Sequence, residues 1–241
     1  MSKIHLSLLF ILMSVLLYSQ NIIDREGAIV RSDISEKNIY LFFTGHDQVE
    51  GFKYVLNVLN EQNVKGSFFL TGDFIRNHAD LVRDIVKDGH FVGAHSNKHL
   101  LYCDWTKRDS LLHTEDEIKT DISQNLNALK KLGIHPKYFM PPYEWYNQRV
   151  VEIASQLNQI TVNFSPGTRS NADYTTPDMA NYISSDDILK SIYSYQSLFC
   201  MNGFHLLVHP GTSPKRKDKF YLQLDELITK LKQEGYQFSK L

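Results

Sequence analysis

Beyond its first twenty residues the chain alternates short apolar runs with longer stretches whose apolar residues recur every three to four positions. Unbroken runs of four to eight apolar residues suit strands buried on both faces, and the 3.6-residue period suits helices with one inward face. Residues 39–43 (IYLFF) are the first such run, and residues 51–63 follow with Phe52, Val55, Leu56 and Leu59 at helical spacing. Residues 67–70 (SFFL) and 91–94 (FVGA) predict strands again. Between them, residues 78–87 place Leu81, Val82, Ile85 and Val86 on one side of a helix. Residues 115–132 predict a long amphipathic helix closed by Gly133, because glycine readily takes the left-handed turn that ends a helix. Further strands are predicted at 138–140, 160–164 and 204–208, and further helices at 147–157, 186–199 and 221–234.

Apolar strands alternating with helices predict an α/β fold with a parallel sheet covered by helices. Six or seven strand–helix units over roughly 220 residues are fewer than a full eightfold barrel requires, which typically takes about 250 residues. An incomplete (β/α) barrel is therefore expected. No linker, repeat or low-complexity tract interrupts the chain, so residues 20–241 are expected to form one domain. In this architecture the chemistry gathers at the carboxyl ends of the strands.

The first nineteen residues have a different character. Lys3 and His5 precede an apolar run over residues 6–18, and the small residue Ser19 follows. This is the pattern of a secretory signal peptide, and the run is shorter than the ~20 residues a bilayer crossing needs. Residues 1–19 are thus expected to be a leader, with the mature chain secreted to the periplasm or exterior and not stably anchored in a membrane. The charge balance, 26 Lys and Arg against 27 Asp and Glu, argues against a nucleic-acid partner held by bulk electrostatics. Two cysteines, Cys103 and Cys200, are too few for a disulfide scaffold or a cysteine-based zinc module. Pairing of the two and two free thiols both remain open. Any bound metal must rest on histidines and carboxylates, and there are ten histidines.

Four of those histidines fall at predicted strand exits. Thr44-Gly45-His46-Asp47 follows the first strand, and His95-Ser96-Asn97-Lys98-His99 follows the third. Met140-Pro141-Pro142-Tyr143-Glu144-Trp145 follows the fourth, residues 165–174 the fifth, and His209-Pro210-Gly211 the sixth. His95 and His99 are four apart, so on one helical turn their imidazoles would face the same way and share a cation. Asp47 would add a carboxylate. Two imidazoles and one carboxylate leave a coordination position for water, which is the catalytic type of zinc site.

Residues 65–99 (KGSFFLTGDFIRNHADLVRDIVKDGHFVGAHSNKH) resemble the second strand, intervening helix and His-[Ser/Thr]-x-x-His metal motif of the polysaccharide deacetylases, the NodB-homology group of carbohydrate esterase family 4. Weaker similarity runs from about Asn38 to Tyr236. The resemblance implies a distorted, incomplete barrel and a divalent ion, usually zinc. It also implies removal of N- or O-acetyl groups from a polysaccharide such as peptidoglycan, chitin-like oligomers or xylan. By position it makes His95 and His99 metal ligands and Asp47 the third ligand, with His46 standing where the family has its base, an Asp. The exchange of roles between His46 and Asp47 is equally compatible with the residues. Leu206-Leu207-Val208-His209 matches the motif whose His protonates the leaving group, and Asp173-Tyr174 echoes an Asp-Trp element, making Asp173 the candidate partner of His209. Pro142 and Tyr143 match the motif expected beside the oxyanion, and Trp145 and Arg169 are candidate substrate contacts. Trp105, Tyr102 and Tyr146 serve either sugar stacking or packing.

Two positions depart from the family pattern: His46 replaces the base, and Met140 replaces the Arg that pairs with it. An Arg holds a carboxylate base ionised but would only lower the basicity of an imidazole, so the two changes are consistent with one altered design. The alternative expectation is a carbohydrate-binding protein on the same fold with turnover impaired.

Overall fold

A computed structural model describes residues 20–241; the leader expected at 1–19 lies outside the described residues. Strand β1 (Ile22–Ile23) pairs antiparallel with β2 (Ile29–Arg31), and β3 (Asn38–Gly45) opens the strand–helix alternation. Helix α1 (Phe52–Glu61), β4 (Ser67–Leu70), α2 (Gly72–Asn77), α3 (Ala79–Lys87) and β5 (Phe91–Ala94) follow. Next come α4 (Glu115–Lys130), β6 (Tyr138–Phe139), α5 (Gln148–Gln156) and β7 (Ile160–Thr161). The chain closes with α6 (Ser185–Leu198), β8 (Phe204–Val208), α7 (Leu224–Gln233) and β9 (Gln237–Ser239). The sheet order is β1-β2-β8-β3-β4-β5-β6-β7, parallel from β8 to β7. β9 pairs with the first half of β3, and Val162 bridges back to Ile29 of β2. The curled, incomplete (β/α) barrel expected from the alternation is the fold.

The strands carry apolar side chains on both faces, which explains their unbroken runs. In β3, Ile39, Leu41 and Phe43 pack under the helices while Phe42 points into the barrel with Phe69, Met140, Val162 and Leu207. Each fully buried Phe or Leu contributes about 1.5–3 kcal/mol relative to exposure, so this two-sided packing dominates the stability of the sheet.

Several predicted boundaries shift. The helix expected at 78–87 is α3, and the short α2 before it was not expected: Thr71 caps α2 by accepting from Phe74 N, and the chain turns at His78 before α3. The strand expected at 160–164 is only β7, since Phe164 N turns onto the side chain of Asn163 at 2.9 Å. The helix expected at 221–234 begins as a 3-10 turn over Phe220–Gln223. Strands β1, β2 and β9 are too short to show a period in sequence. Cys103 is a buried free thiol and Cys200 an exposed one, so the two do not pair. No helix among the described residues is long and apolar enough to cross a membrane.

Candidate active site

Strand register brings the polar clusters to one rim. Gly45 lies opposite Leu70, Leu70 opposite Ala94, and Ala94 opposite Phe139, so His46, His95 and Met140 each stand one residue beyond the same layer of the sheet. Phe43 faces Val208 on the other side, which sets His209 beside Thr44. The rim opens into a cavity of about 730 Å³ lined by His46, Asp47, His95, His99, Tyr143, Glu144 and His209. Gly45 occupies a place where a Cβ would meet Leu70 and Phe52 within 3.0 Å, so these side chains leave no room for one.

His95 and His99 do meet, with ring centroids 5.0 Å apart, but by a different route from the helical turn that their spacing suggests. They flank a loop in which Ser96 (φ 69°) and His99 (φ 56°) are left-handed, a conformation costing about 1–2 kcal/mol per non-glycine residue. Helix α4 holds that loop in place. Asn125 accepts from His95 N at 2.8 Å and donates to Leu70 O at 3.0 Å, joining the ends of β4 and β5. Asp121 accepts from Lys98 N at 3.0 Å and from the Tyr102 hydroxyl at 2.6 Å. Both are buried in the stripe of Ile118, Ile122 and Leu129. Two polar residues four apart within an apolar helix face were the signal by which the sequence could have revealed them.

His95 Nδ1 lies 2.8 Å from the Met140 carbonyl, which has only acceptor capacity; Nδ1 therefore carries the proton and Nε2 presents a lone pair. Burial holds His95 far below the usual imidazole range, at about 3, and holds His99 at about 2 with further repulsion from His95 and His46. Both rings are neutral at pH 7, the form that binds a metal. His46 stacks on His99 at 4.4 Å with 14° between planes. Its Nε2 sits 3.2 Å from Asp47 Oδ1, and its Nδ1 is buried without a partner. In donor chemistry, the adjacent neutral imidazoles and the orphaned ring nitrogen fit a borderline divalent ion such as zinc. Asp47 is turned to His46 and is 71% exposed, and among the described residues no three such side chains converge on one point. Met140, in the position of the family Arg, has its side chain buried in an apolar cluster with Phe42, Phe69, Val162 and Leu207.

His209 and Asp173 come together as the motif suggests. Asp173, almost fully buried, accepts from His209 N at 2.8 Å and from His209 Nδ1 at 2.5 Å. Burial alone would push the imidazole down, but the Asp173 carboxylate outweighs it and raises His209 above its ordinary value. Tyr143 lines the cavity with its ring 4.4 Å from that of His99, while Pro142 is buried and is not among the lining residues. Trp105 stands 5.8 Å from Tyr143 and 5.4 Å from Trp145, and Trp145 is pinned by its Nε1 to Asp104 O and by the Arg108 guanidinium 4.1 Å over its ring. Tyr102 and Tyr146 are buried, bonded to Asp121 and Asp24, and do not reach the cavity. Arg169 is not in the cavity either; it donates to Asn181 O at 3.2 Å and ties its own loop. Sequence reasoning passed over Glu144, although it was a carboxylate at a strand exit.

The rim thus gathers histidines and carboxylates at the carboxyl ends of a curled parallel sheet. The chain belongs to the polysaccharide deacetylase family, whose model matches residues 31–162. It is 31% identical over 187 residues to the uncharacterized protein YlxY of Bacillus subtilis, covering 78% of this chain but only 50% of that relative, so it spans half of that protein's length. It is 26% identical over 223 residues to the peptidoglycan-N-acetylmuramic acid deacetylase PdaA of Bacillus subtilis, covering 92% of this chain and 76% of PdaA. Among solved structures, the peptidoglycan N-acetylglucosamine deacetylase Bc1960 shares the fold with a TM-score of 0.71 at 24% identity, over 86% of this chain and 87% of that one. BA3943 of Bacillus anthracis, described as a CE4 family pseudoenzyme, does so with a TM-score of 0.70 at 23% identity, over 90% and 68%.

Proposed function

We propose that this chain is an exported, metal-dependent deacetylase that hydrolyses N- or O-acetyl groups of a polysaccharide. The observation that carries this reading is the Asp173–His209 pair, a buried imidazole whose proton affinity a buried carboxylate raises, on the rim of the cavity that also holds His95 and His99. His95 and His99, with Asp47 as the remaining donor, would hold the ion, which when bound supplies a polarised acetyl carbonyl and a water acidified toward a pKa of about 7. His209 gives its proton to the departing amine or alcohol, and Asp173 orients the ring and stabilises its charge. Met140 O fixes the tautomer of His95. Trp105 and Tyr143, 54% and 45% exposed at the mouth, offer flat apolar faces of the kind that stack on sugar rings. The leader expected at residues 1–19 supports export.

One observation favours the second reading, a carbohydrate-binding protein without turnover: His46 Nε2 faces Asp47 Oδ1 at 3.2 Å and His46 Nδ1 is buried, so the two groups of the first motif point at each other. Metal analysis of purified protein, then acetate release from acetylated chitooligosaccharide, peptidoglycan and acetylxylan, separates the two. Bound divalent metal that His95→Ala abolishes, together with acetate from at least one substrate, is the expected result. Metal without acetate from any of the three leaves the binding protein, and no metal in wild type removes the ligand assignment.

A further inference from the structure

Resting on the deacetylase reading, we propose that Glu144 is the general base of the reaction, taking over from the carboxylate missing at His46. The segment after β6 is built to present it. Tyr143 (φ 58°) and Glu144 (φ 53°) are two successive left-handed non-glycine residues, a strained arrangement that persists only where its surroundings enforce it. Glu144 N donates to Pro141 O at 3.1 Å, Trp145 N to Pro142 O at 3.2 Å, and Asn163 Nδ2 to Glu144 O at 3.0 Å. The turn lays Tyr143 over His99 and leaves the Glu144 side chain in the cavity wall.

The neighbouring carboxylates differ from it: Asp173 is hydrogen-bonded to His209, Asp178 to Thr176 and Lys215, and Asp47 is largely exposed with Oδ1 3.2 Å from His46 Nε2. Glu144 makes no side-chain hydrogen bond or ion pair among the described residues, which leaves both oxygens available to a water molecule. The two groups of the first motif are placed differently, since His46 Nε2 faces Asp47 Oδ1 at 3.2 Å and its Nδ1 is buried. Met140 in the Arg position agrees with this division, because no base at position 46 needs a cation. The charged groups that Glu144 feels are His209 and Asp173; Asp47 and the exposed Asp178–Lys215 pair stand elsewhere on the cavity wall. Burial outweighs the attraction of His209 and pushes the Glu144 carboxyl up to about 7, near where a base of this kind works best.

In the step itself, a Glu144 oxygen takes a proton from water as the water oxygen bonds to the acetyl carbon and the carbonyl π pair moves to its oxygen. When that pair returns, the bond to the sugar nitrogen or oxygen breaks, and His209 protonates the leaving atom. Acetate departs, and the proton on Glu144 passes through solvent to restore His209.

The test is acetate release by wild type, Glu144→Gln and Glu144→Asp on whichever of the three substrates wild type turns over, with a pH profile and thermal melts. It is joined by NMR titration of protein labelled with carbon-13 at the glutamate carboxyls. A loss of about 100-fold or more in kcat for Glu144→Gln at unchanged melting temperature is expected, with partial rescue by Asp. The acidic limb of kcat/KM near pH 7 should disappear, and one carboxyl signal titrating near 7 should be absent from the Gln variant. Activity of Glu144→Gln within threefold of wild type, a persisting acidic limb, or a Glu144 carboxyl titrating in the ordinary glutamate range would each overturn the proposal while the deacetylase reading stands. Absence of acetate from wild type on all three substrates removes that reading, and the base assignment with it.

Discussion

Asp173 commits both carboxylate oxygens to one residue, the backbone N–H and the ring of His209, and its charge raises the proton affinity of a strand-end histidine. The shift is a stability statement as well. A histidine raised above its unfolded value of about 6.5 stabilises the fold fully below that pH, and the contribution is lost as pH rises through the folded pKa. Asp173→Asn should therefore move the alkaline limb of kcat/KM to lower pH. It should also remove about 1.5–3 kcal/mol of stability at pH 6, the scale of a hydrogen bond to a charged group, and remove less at pH 9. Kinetic pH profiles and denaturant melts at the two pH values check both. The residue identities His46, Asp47, His95, His99 and His209 were legible from their placement after apolar runs. The approach of His46 Nε2 to Asp47 Oδ1, at 3.2 Å, was not, because neighbouring residues in sequence reveal nothing of where their side chains turn.

At the scale of elements, α4 is where fold and site join. Thr114 and Glu117 start it with a reciprocal capping box, and its last turn carries Lys130 at the negative end of the helix dipole. Its buried Asn125 then ties His95 to β4. These roles separate by mutation. Thr114→Ala should cost about 1 kcal/mol and leave metal content and turnover unchanged. Asn125→Ala leaves His95 N–H and Leu70 C=O unpaired, each worth about 1–3 kcal/mol, and should lower metal affinity as well as the melting temperature. Calorimetry and metal titration of the two variants distinguish them; equal metal affinity in both would contradict the scaffolding role. The helical period of α4 was readable in sequence, whereas the loop it supports was misjudged as a helical turn. Nothing local in His-Ser-Asn-Lys-His announces the left-handed Ser96 and His99; contacts from α4 hold them there.

For the whole molecule, burial of neutral histidines sets a pH floor. His90 Nδ1 accepts from Gly66 N at 3.1 Å. His205 is bracketed by Ser32 Oγ and Asn163 O, each at 2.8 Å. Burial, with repulsion from Lys65 on His90, holds both rings down at about 4. Because the unfolded chain takes up protons first, their contribution to stability is full above about pH 6.5 and is lost as pH falls toward 4. Each is expected to add at most about 1.4 kcal/mol per pH unit to the acid slope in that window. His90→Asn, which keeps an acceptor near Gly66 N but cannot charge, should flatten the slope by one such share in melts between pH 6.5 and 4.5. An unchanged slope would place the acid sensitivity elsewhere.

The apolar runs and periods by themselves determined the α/β alternation, the incomplete barrel and the strand exits at which chemistry gathers, because burial on one or both faces is written directly as a repeat of two or 3.6 residues. Tertiary structure alone decided which exit residues meet. It confined Arg169 to its own loop, kept Cys103 and Cys200 apart, and set Glu144 on the cavity wall by two left-handed residues, whereas the partnership of Asp173 with His209 was already named by the motif resemblance. Such meetings depend on register, loop conformation and the direction of each side chain, all of which are fixed by the packing of distant segments.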